Sequence, residues 1–230
     1  MTISVIIPTL NEQTALTRTV MHAGALDFDE LILVDGGSTD GTLRLAESLC
    51  ARAANTRIVS AARGRAGQMN AGAGISHGDI LLFLHADTLL PAEAGRIIRD
   101  TMADSTIVGG RFDVRFDSPS RWGRMISSLM NRRSRLTGIS TGDQAIFVRR
   151  ATFEQLGGFA DIPLMEDIEL SRRLKRAGRV AALKETVITS FRRWETQGPL
   201  KTILLMWTLR FMYWLGVSPL RLSLWYKTVR

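Results

Sequence analysis

Four short apolar runs separated by helical patterns decide what the first 90 residues can fold into. The runs are Ile3 to Ile7, Leu31 to Val34, Arg57 to Ser60 and Ile80 to Leu84, and helical periodicity occupies 12–24, 42–53, 66–75 and 92–102. A strand apolar at successive positions has to be covered on both faces. That condition is met in a parallel sheet whose crossover helices pack on either side. From Thr106 the pattern changes to an extended stretch, Val108 to Asp117, and a basic helical segment, Ser120 to Arg135. A loop (Leu136 to Gly142), a strand (Gln144 to Val148), a short helix and a loop through Pro163 lead to a helix, Glu166 to Ala177, closed by Gly178.

The chain therefore reads as one α/β domain, residues 1–195, with halves at 1–105 and 106–195, and a hydrophobic helical appendage, 196–230. The appendage carries Trp207, Trp214 and Trp225, with Trp194 just upstream. Its apolar core, Thr202 to Val217, contains Arg210, and it falls short of the roughly 20 apolar residues that a spanning helix needs. Two readings stay open: an interfacial helix with aromatic and basic residues at headgroup level, or a helix packed on the domain.

Composition narrows the chemistry. The single cysteine, Cys50, excludes an intrachain disulfide and points to a reducing compartment. Three histidines, His22, His77 and His85, cannot build a Cys/His zinc site, so a metal would need carboxylates. The chain opens on a strand-like run without a basic leader or cleavage site, and the expected location is cytoplasmic. The net charge is +8 and uneven: residues 1–110 hold 8 basic and 12 acidic side chains, residues 111–230 hold 22 and 10. Of the 30 basic residues 26 are arginine, which suits forked hydrogen bonding to phosphate or carboxylate. Nucleic acid, an anionic membrane surface and a phosphorylated small molecule all answer to that imbalance.

The polar residues gather where the apolar runs end. Ser4-Val-Ile-Ile-Pro-Thr-Leu-Asn-Glu12 leaves a strand through Pro8, Thr9 and Leu10 and turns into a helix start at Glu12. Ligands of an open parallel sheet sit beyond the carboxyl ends of its strands, although Glu12 also suits a helix N-terminus by itself. Leu31-Ile-Leu-Val-Asp-Gly-Gly-Ser-Thr-Asp-Gly41 places Asp35 at the same edge, an acceptor fit for a base or ribose hydroxyls. In Arg63-Gly-Arg-Ala-Gly-Gln-Met-Asn-Ala-Gly72, Arg63 and Arg65 open a helix that also carries Asn70, a natural diphosphate site. Ile80-Leu-Leu-Phe-Leu-His-Ala-Asp-Thr88 ends in His85, Ala86 and Asp87. A hard divalent cation bridging phosphates takes one or two carboxylates, which Asp87 supplies. The plainer readings are a core histidine and a helix cap.

In this order and spacing the four motifs closely resemble family 2 glycosyltransferases of the GT-A fold, over roughly residues 3 to 195. The resemblance implies a mostly parallel, Rossmann-like sheet flanked by helices, and sugar transfer from a UDP- or GDP-sugar donor. It assigns Pro8, Thr9, Glu12 and Asp35 to the nucleoside, and Asp87 to Mn2+ or Mg2+ on the diphosphate. His85 stands where relatives have the first acid of Asp-x-Asp. It is either a second metal ligand or a hydrogen-bond partner of ribose. His-Ala-Asp is similar to a bacterial subgroup associated with gene neighbourhoods of radical-SAM and selenium-associated domains.

In the second half, Gly142, Asp143 and Gln144 resemble the family's acceptor loop. Pro163-Leu-Met-Glu-Asp-Ile-Glu-Leu170 matches its Glu-Asp motif, with Glu166 beside the acceptor and Asp167 as the catalytic base of inverting members. Both acids would equally suit a helix N-terminus. Arg193 and Trp194 resemble the end of a Gln-x-x-Arg-Trp motif whose glutamine is here Ser190, which argues for transfer of a single sugar. The acceptor is a hydroxyl or a phosphate, with lipid-linked and phosphorylated forms both open. A location on the inner face of the cytoplasmic membrane follows if the appendage is interfacial. The alternative is a nucleotide-sugar-binding protein without catalysis. Nucleic acid falls away, because the arginines are dispersed and no recognition helix, zinc pattern or aromatic RNA motif is present.

Overall fold

A computed structural model describes residues 1–226. The first half of the chain alternates as expected: β1 (Ile3–Thr9), α1 (Gln13–Gly24), β2 (Glu30–Asp35), α2 (Thr42–Cys50), β3 (Thr56–Ser60), α3 (Arg65–Ile75) and β4 (Ile80–Phe83). A two-residue strand, β5 (Thr88–Leu89), and α4 (Ala94–Met102) follow. The second half contains β6 (Ile107–Phe116), α5 (Arg121–Thr137), a 3-10 turn (Gly142–Gln144), β7 (Phe147–Arg149), α6 (Arg150–Gln155) and α7 (Glu166–Ala177). The chain continues through β8 (Arg179–Thr189), α8 (Arg192–Gln197), α9 (Pro199–Trp214) and α10 (Pro219–Trp225).

All eight strands form one sheet in the order β3-β2-β1-β4-β7-β6-β8-β5. The first four pair in parallel. β7 then runs antiparallel to both β4 and β6, β8 parallel to β6, and β5 antiparallel to β8. The sheet is therefore parallel in its first half and mixed overall. β8 is an addition to the sequence reading. Its residues are partly exposed and include Lys184 and Glu185, so no apolar run marks it, and its order comes from pairing with β6 along most of its length.

Alternating side chains of the central strands feed two cores. Val5, Ile7, Leu33 and Leu82 meet Leu16 and Val20 of α1 and Ile98 and Met102 of α4. Ile6, Ile32, Val34 and Leu81 face the other way, onto Ala66, Met69 and Ala73 of α3 and Leu170 and Leu174 of α7. Helix α3 lies so close that a Cβ on Gly72 would come within 2.5 Å of Ile6 Cγ2.

The appendage packs on the domain by one face and leaves the other exposed. Leu209 of α9 and Leu222 of α10 are buried against Leu164, Met165 and Ile168 at the start of α7. Leu200, Leu204, Trp207, Phe211 and Trp214, spaced by three and four, stay exposed on α9. Among the described residues, no helix is long and apolar enough to cross a membrane.

Candidate active site

The parallel register sets Thr9 beside Asp35 at the carboxyl edge of the sheet. Beyond this edge opens a cleft of about 220 Å3. It is lined by Pro8, Thr9, Leu10, Glu12, Arg65, His85, Ala86 and Asp87 from the first half of the chain, and by Gly142, Asp143, Glu166, Asp167, Arg193 and Trp194 from the second. The fold thus brings together most of the residues singled out in the sequence, from segments up to 186 positions apart.

Among the described residues, three non-glycine residues adopt left-handed backbone, and all stand in or close to the segments that line this cleft: Asn11 (φ 55°), Ala145 (φ 47°) and Met165 (φ 71°). Such conformations persist where surrounding contacts hold them, and they concentrate at functional sites. Asn11 Oδ1 accepts the Thr39 N–H at 2.8 Å, and the Asn11 N–H donates to the Ser38 hydroxyl oxygen at 3.0 Å. These bonds knit the loops after β1 and β2 together. Met165 turns the chain so that Glu166 and Asp167 begin α7 facing the cleft.

Asp167 is the best-defined carboxylate here. Its Oδ2 accepts the Gly142 N–H at 2.9 Å and its Oδ1 accepts the Ile168 N–H at 2.7 Å. Burial and the neighbouring Glu166 carboxylate raise its pKa to about 6, against the two N–H bonds and Arg65. Glu166 is itself buried and pairs with Arg65 at 3.2 Å. Burial opposes the Arg65 charge, but Glu166, Tyr226, Asp167 and Asp143 hold it firmly protonated.

His85 points Nδ1 at Asp143 Oδ1, 3.2 Å away, and its buried Nε2 has no partner among the described residues. Nε2 lies against Gly142, where an added Cβ would approach to 2.3 Å. Burial would raise the Asp143 pKa, but the hydrogen bond and charge of His85, with Arg65 and Arg193, bring it below the usual value. Asp87 moves the other way: burial and Asp143 raise its pKa despite His85 and Arg192. No cluster of three or more His, Cys, Asp or Glu side chains able to enclose a metal exists among the described residues.

Four predicted residues lie outside the cleft lining. Asp35 accepts the N–H groups of Gly37 and Ser38, at 2.9 and 3.0 Å, and the Ser38 hydroxyl at 2.5 Å, so it shapes its own loop. Asn70 exchanges two hydrogen bonds with the Phe159 backbone, at 2.8 and 2.9 Å. Gln144 is fully buried in a reciprocal cap with Thr141. Arg63 is exposed.

Sequence reasoning missed several contributors. Gln68 lines the cleft and donates from Nε2 to the carbonyls of Thr9 and Val34, both at 2.8 Å, bridging the diverging ends of β1 and β2. Arg192 reaches Glu12 at 3.3 Å across the cleft mouth. The appendage supplies Met206, Leu209, Arg210 and Tyr226 to the lining. Gln68 belongs to a motif that was read, whereas Tyr226 had no local signal.

Residues 4–157 match the family model for glycosyl transferase family 2. The chain is a family 2 glycosyltransferase. A PGL/p-HBAD biosynthesis glycosyltransferase of Mycobacterium tuberculosis is 33% identical over 168 residues, covering 68% of this chain and 62% of that protein. The undecaprenyl-phosphate 4-deoxy-4-formamido-L-arabinose transferase of Proteus mirabilis is 32% identical over 162 residues, covering 64% of this chain and 48% of that protein. The family 2 chain thus spans only part of the length of these curated relatives.

Among solved structures, Staphylococcus aureus TarS residues 1–349 in complex with UDP superposes with a TM-score of 0.67 at 18% identity, over 83% of this chain and 60% of that one. The mannosyltransferase PcManGT from Pyrobaculum calidifontis, in complex with GDP-Man and Mn2+, gives 0.67 at 20% identity, over 99% and 65%. Both likenesses establish the fold of this family 2 enzyme, with its mixed sheet and flanking helices.

Proposed function

We propose that this chain transfers a single sugar from a UDP- or GDP-sugar to an acceptor oxygen, with inversion at the anomeric carbon. The observation that carries this reading is Asp167, a carboxylate with a pKa raised to about 6, fixed by the Gly142 N–H in the same cleft as Asp87. A base tuned near the working pH can hold its proton-accepting form and still remove a proton effectively.

In this reading Pro8, Thr9, Leu10, Glu12 and Ala86 receive the nucleoside, and Arg65 and Arg192 face the diphosphate. Asp35 and Asn70 act from behind, by fixing the loops that shape the donor end. The acceptor enters past Gly142, Asp143 and Trp194, and Asp167 takes its proton as the acceptor oxygen attacks. Inversion follows because one base acts on the face opposite the leaving diphosphate.

The residues fit a divalent cation, Mn2+ or Mg2+, of the substrate-borne kind. Asp87 is a half-buried carboxylate whose ionised form is disfavoured where it stands, and such cations need only one or two carboxylates when phosphate oxygens and water complete the shell. His85, whose Nδ1 faces Asp143, presents Nε2 as a second candidate ligand. When bound, the cation supplies charge neutralisation to the departing diphosphate. The appendage, whose exposed face is aromatic and whose only charges are basic, lies on an anionic membrane surface of the cytoplasmic side.

The decisive experiment is thermal unfolding with UDP or GDP and Mn2+. A ligand that binds only the folded chain at 100 times its dissociation constant adds about 2.7 kcal/mol, so Tm rises. No rise with either nucleotide would overturn the donor assignment.

A further inference from the structure

Helix α5 has a face that the domain does not use. Ile126 and Met130 pack with Phe116 and Phe191, and Gly123, Ser127 and Ser134 are buried as well. Trp122, Met125, Leu129 and Leu136 stay exposed. At 3.6 residues per turn these four fall in one narrow stripe that borders the buried face. Leu129 at 53% and Leu136 at 84% exposure have little of their own domain to rest on.

The charge beside this stripe is of one sign. Residues 118–142 hold five arginines and no Asp or Glu. Of the five, only Arg135 makes an ion pair among the described residues, with Asp113. Arg121, Arg124 and Arg132 are exposed and, by the same helical pitch, run along the border of the stripe away from the buried face. An apolar stripe that includes a tryptophan, edged by uncompensated arginines, suits a helix lying in the interface of an anionic bilayer. The stripe enters the acyl boundary and the guanidinium groups meet the headgroup phosphates. A second copy of the chain is the poorer occupant, since two faces of the same uncompensated charge repel each other.

α9 shares this design. Its Ile203 packs against the same buried cluster as Ile126 and Met130. It too turns an aromatic and aliphatic stripe outward, and residues 196–230 contain no Asp or Glu. Both helices are thus fixed to the domain through shared contacts, and an extended surface can serve both.

Resting on the membrane reading of α9 above, we propose that α5 is a second membrane-contact helix, which lays Trp122, Met125, Leu129 and Leu136 into the interface of an anionic bilayer. Two contacts fix the orientation of a domain that one helix would leave free to swivel. α5 is capped by Gly138, four residues before Gly142, so the orientation it sets passes directly to the turn that holds Asp167.

The test is flotation of the full chain with vesicles of phosphatidylglycerol and phosphatidylcholine in equal parts, and with phosphatidylcholine alone. Wild type should float with the mixed vesicles. Met125→Glu and Leu129→Glu should each lose affinity severalfold, and Arg121→Gln and Arg132→Gln roughly fivefold each on the mixed vesicles, with Tm unchanged. A second measurement keeps the chain nearly intact: Met125→Cys in a Cys50→Ser background carries a polarity-sensitive fluorophore. Its emission should shift to the blue on mixed vesicles, while the same label at Met21→Cys, on exposed α1 surface, stays unshifted. An unshifted label at position 125 with wild type floating would overturn the proposal, as would an equal shift at position 21, which marks nonspecific adsorption. Loss in Trp207→Glu with none in the α5 variants would leave α9 on the membrane and remove α5; the reverse would keep α5 and remove α9. Equal binding to phosphatidylcholine alone would overturn the anionic assignment. A dimer in solution that Met125→Glu dissociates, with a label that ignores vesicles, would give the face to a second copy and overturn it too. Wild type that does not float overturns both membrane readings.

Discussion

Gly142 donates its backbone N–H to Asp167 Oδ2 at 2.9 Å, and so ties the loop beside His85 to the carboxylate that begins α7. The same residue has no room for a side chain, since a Cβ would stand 2.3 Å from His85 Nε2. His85 and Asp167 are coupled through one glycine.

Gly142→Ala should therefore displace His85, the 3-10 turn, or both. Overpacking of this kind costs about 1–3 kcal/mol, and the hydrogen bond to Asp167 would lengthen with it. Turnover should fall together with Tm, while Gly142→Ala combined with His85→Ala should recover most of the Tm. The check is a double-mutant cycle by thermal unfolding; purely additive losses would show that the two residues are not in contact.

Asp167→Asn should abolish turnover and leave nucleotide binding nearly intact. It should also stabilise the protein at pH 8. The pKa of Asp167 is raised on folding to about 6, so the folded state holds this proton more tightly than the unfolded one. The resulting stabilisation is complete below the ordinary carboxylate value and is lost as pH rises through about 6. At pH 8 wild type carries an ionised carboxylate in a site that disfavours it, and the amide does not. The difference in Tm should shrink toward zero at pH 4. In the same way, kcat/KM of wild type should fall as pH drops through about 6, and a flat profile there would remove Asp167 as base.

Asp87→Ala should erase the part of UDP or GDP binding that depends on Mn2+, leaving the affinity measured with a chelator unchanged. Titration calorimetry with and without the cation separates the two contributions. A variant that keeps its cation dependence would move the metal elsewhere in the cleft.

Trp207 is 68% exposed on the aromatic stripe of α9, away from the buried Leu209. Trp207→Glu should reduce flotation with anionic liposomes severalfold without lowering Tm, because an interfacial aromatic contributes through lipid contact rather than core packing. Undiminished flotation would detach this face from the membrane reading.

Legibility followed physical locality. β1, β2 and β4 were readable because each contains at least three consecutive apolar residues, and the residues beyond their ends fell into place with them. β8 was not, because Lys184 and Glu185 interrupt it and its order is conferred by β6. Of the residues that enter the cleft beyond β8, Arg193 and Trp194 carried a motif, whereas Arg192 and Tyr226 carried none and were correspondingly hard to anticipate. Within one motif the outcome split: Arg65 and Gln68 reach the cleft, while Asn70 turns to the Phe159 backbone 89 positions away. Residue type and spacing are the same evidence for all three, and only the packing partner decides between them.

The small ladder between β5 and β8 sets a timetable. Thr88, immediately after Asp87, is paired with Thr189, hydroxyl to hydroxyl at 2.9 Å. A nascent chain can assemble the first four strands early in synthesis, but the loop of His85 and Asp87 has no edge to rest on until residue 189 has left the ribosome. Unfinished copies therefore leave the segment of His85 and Asp87 without its β8 ladder, and that end of the cleft takes shape only when β8 joins the sheet.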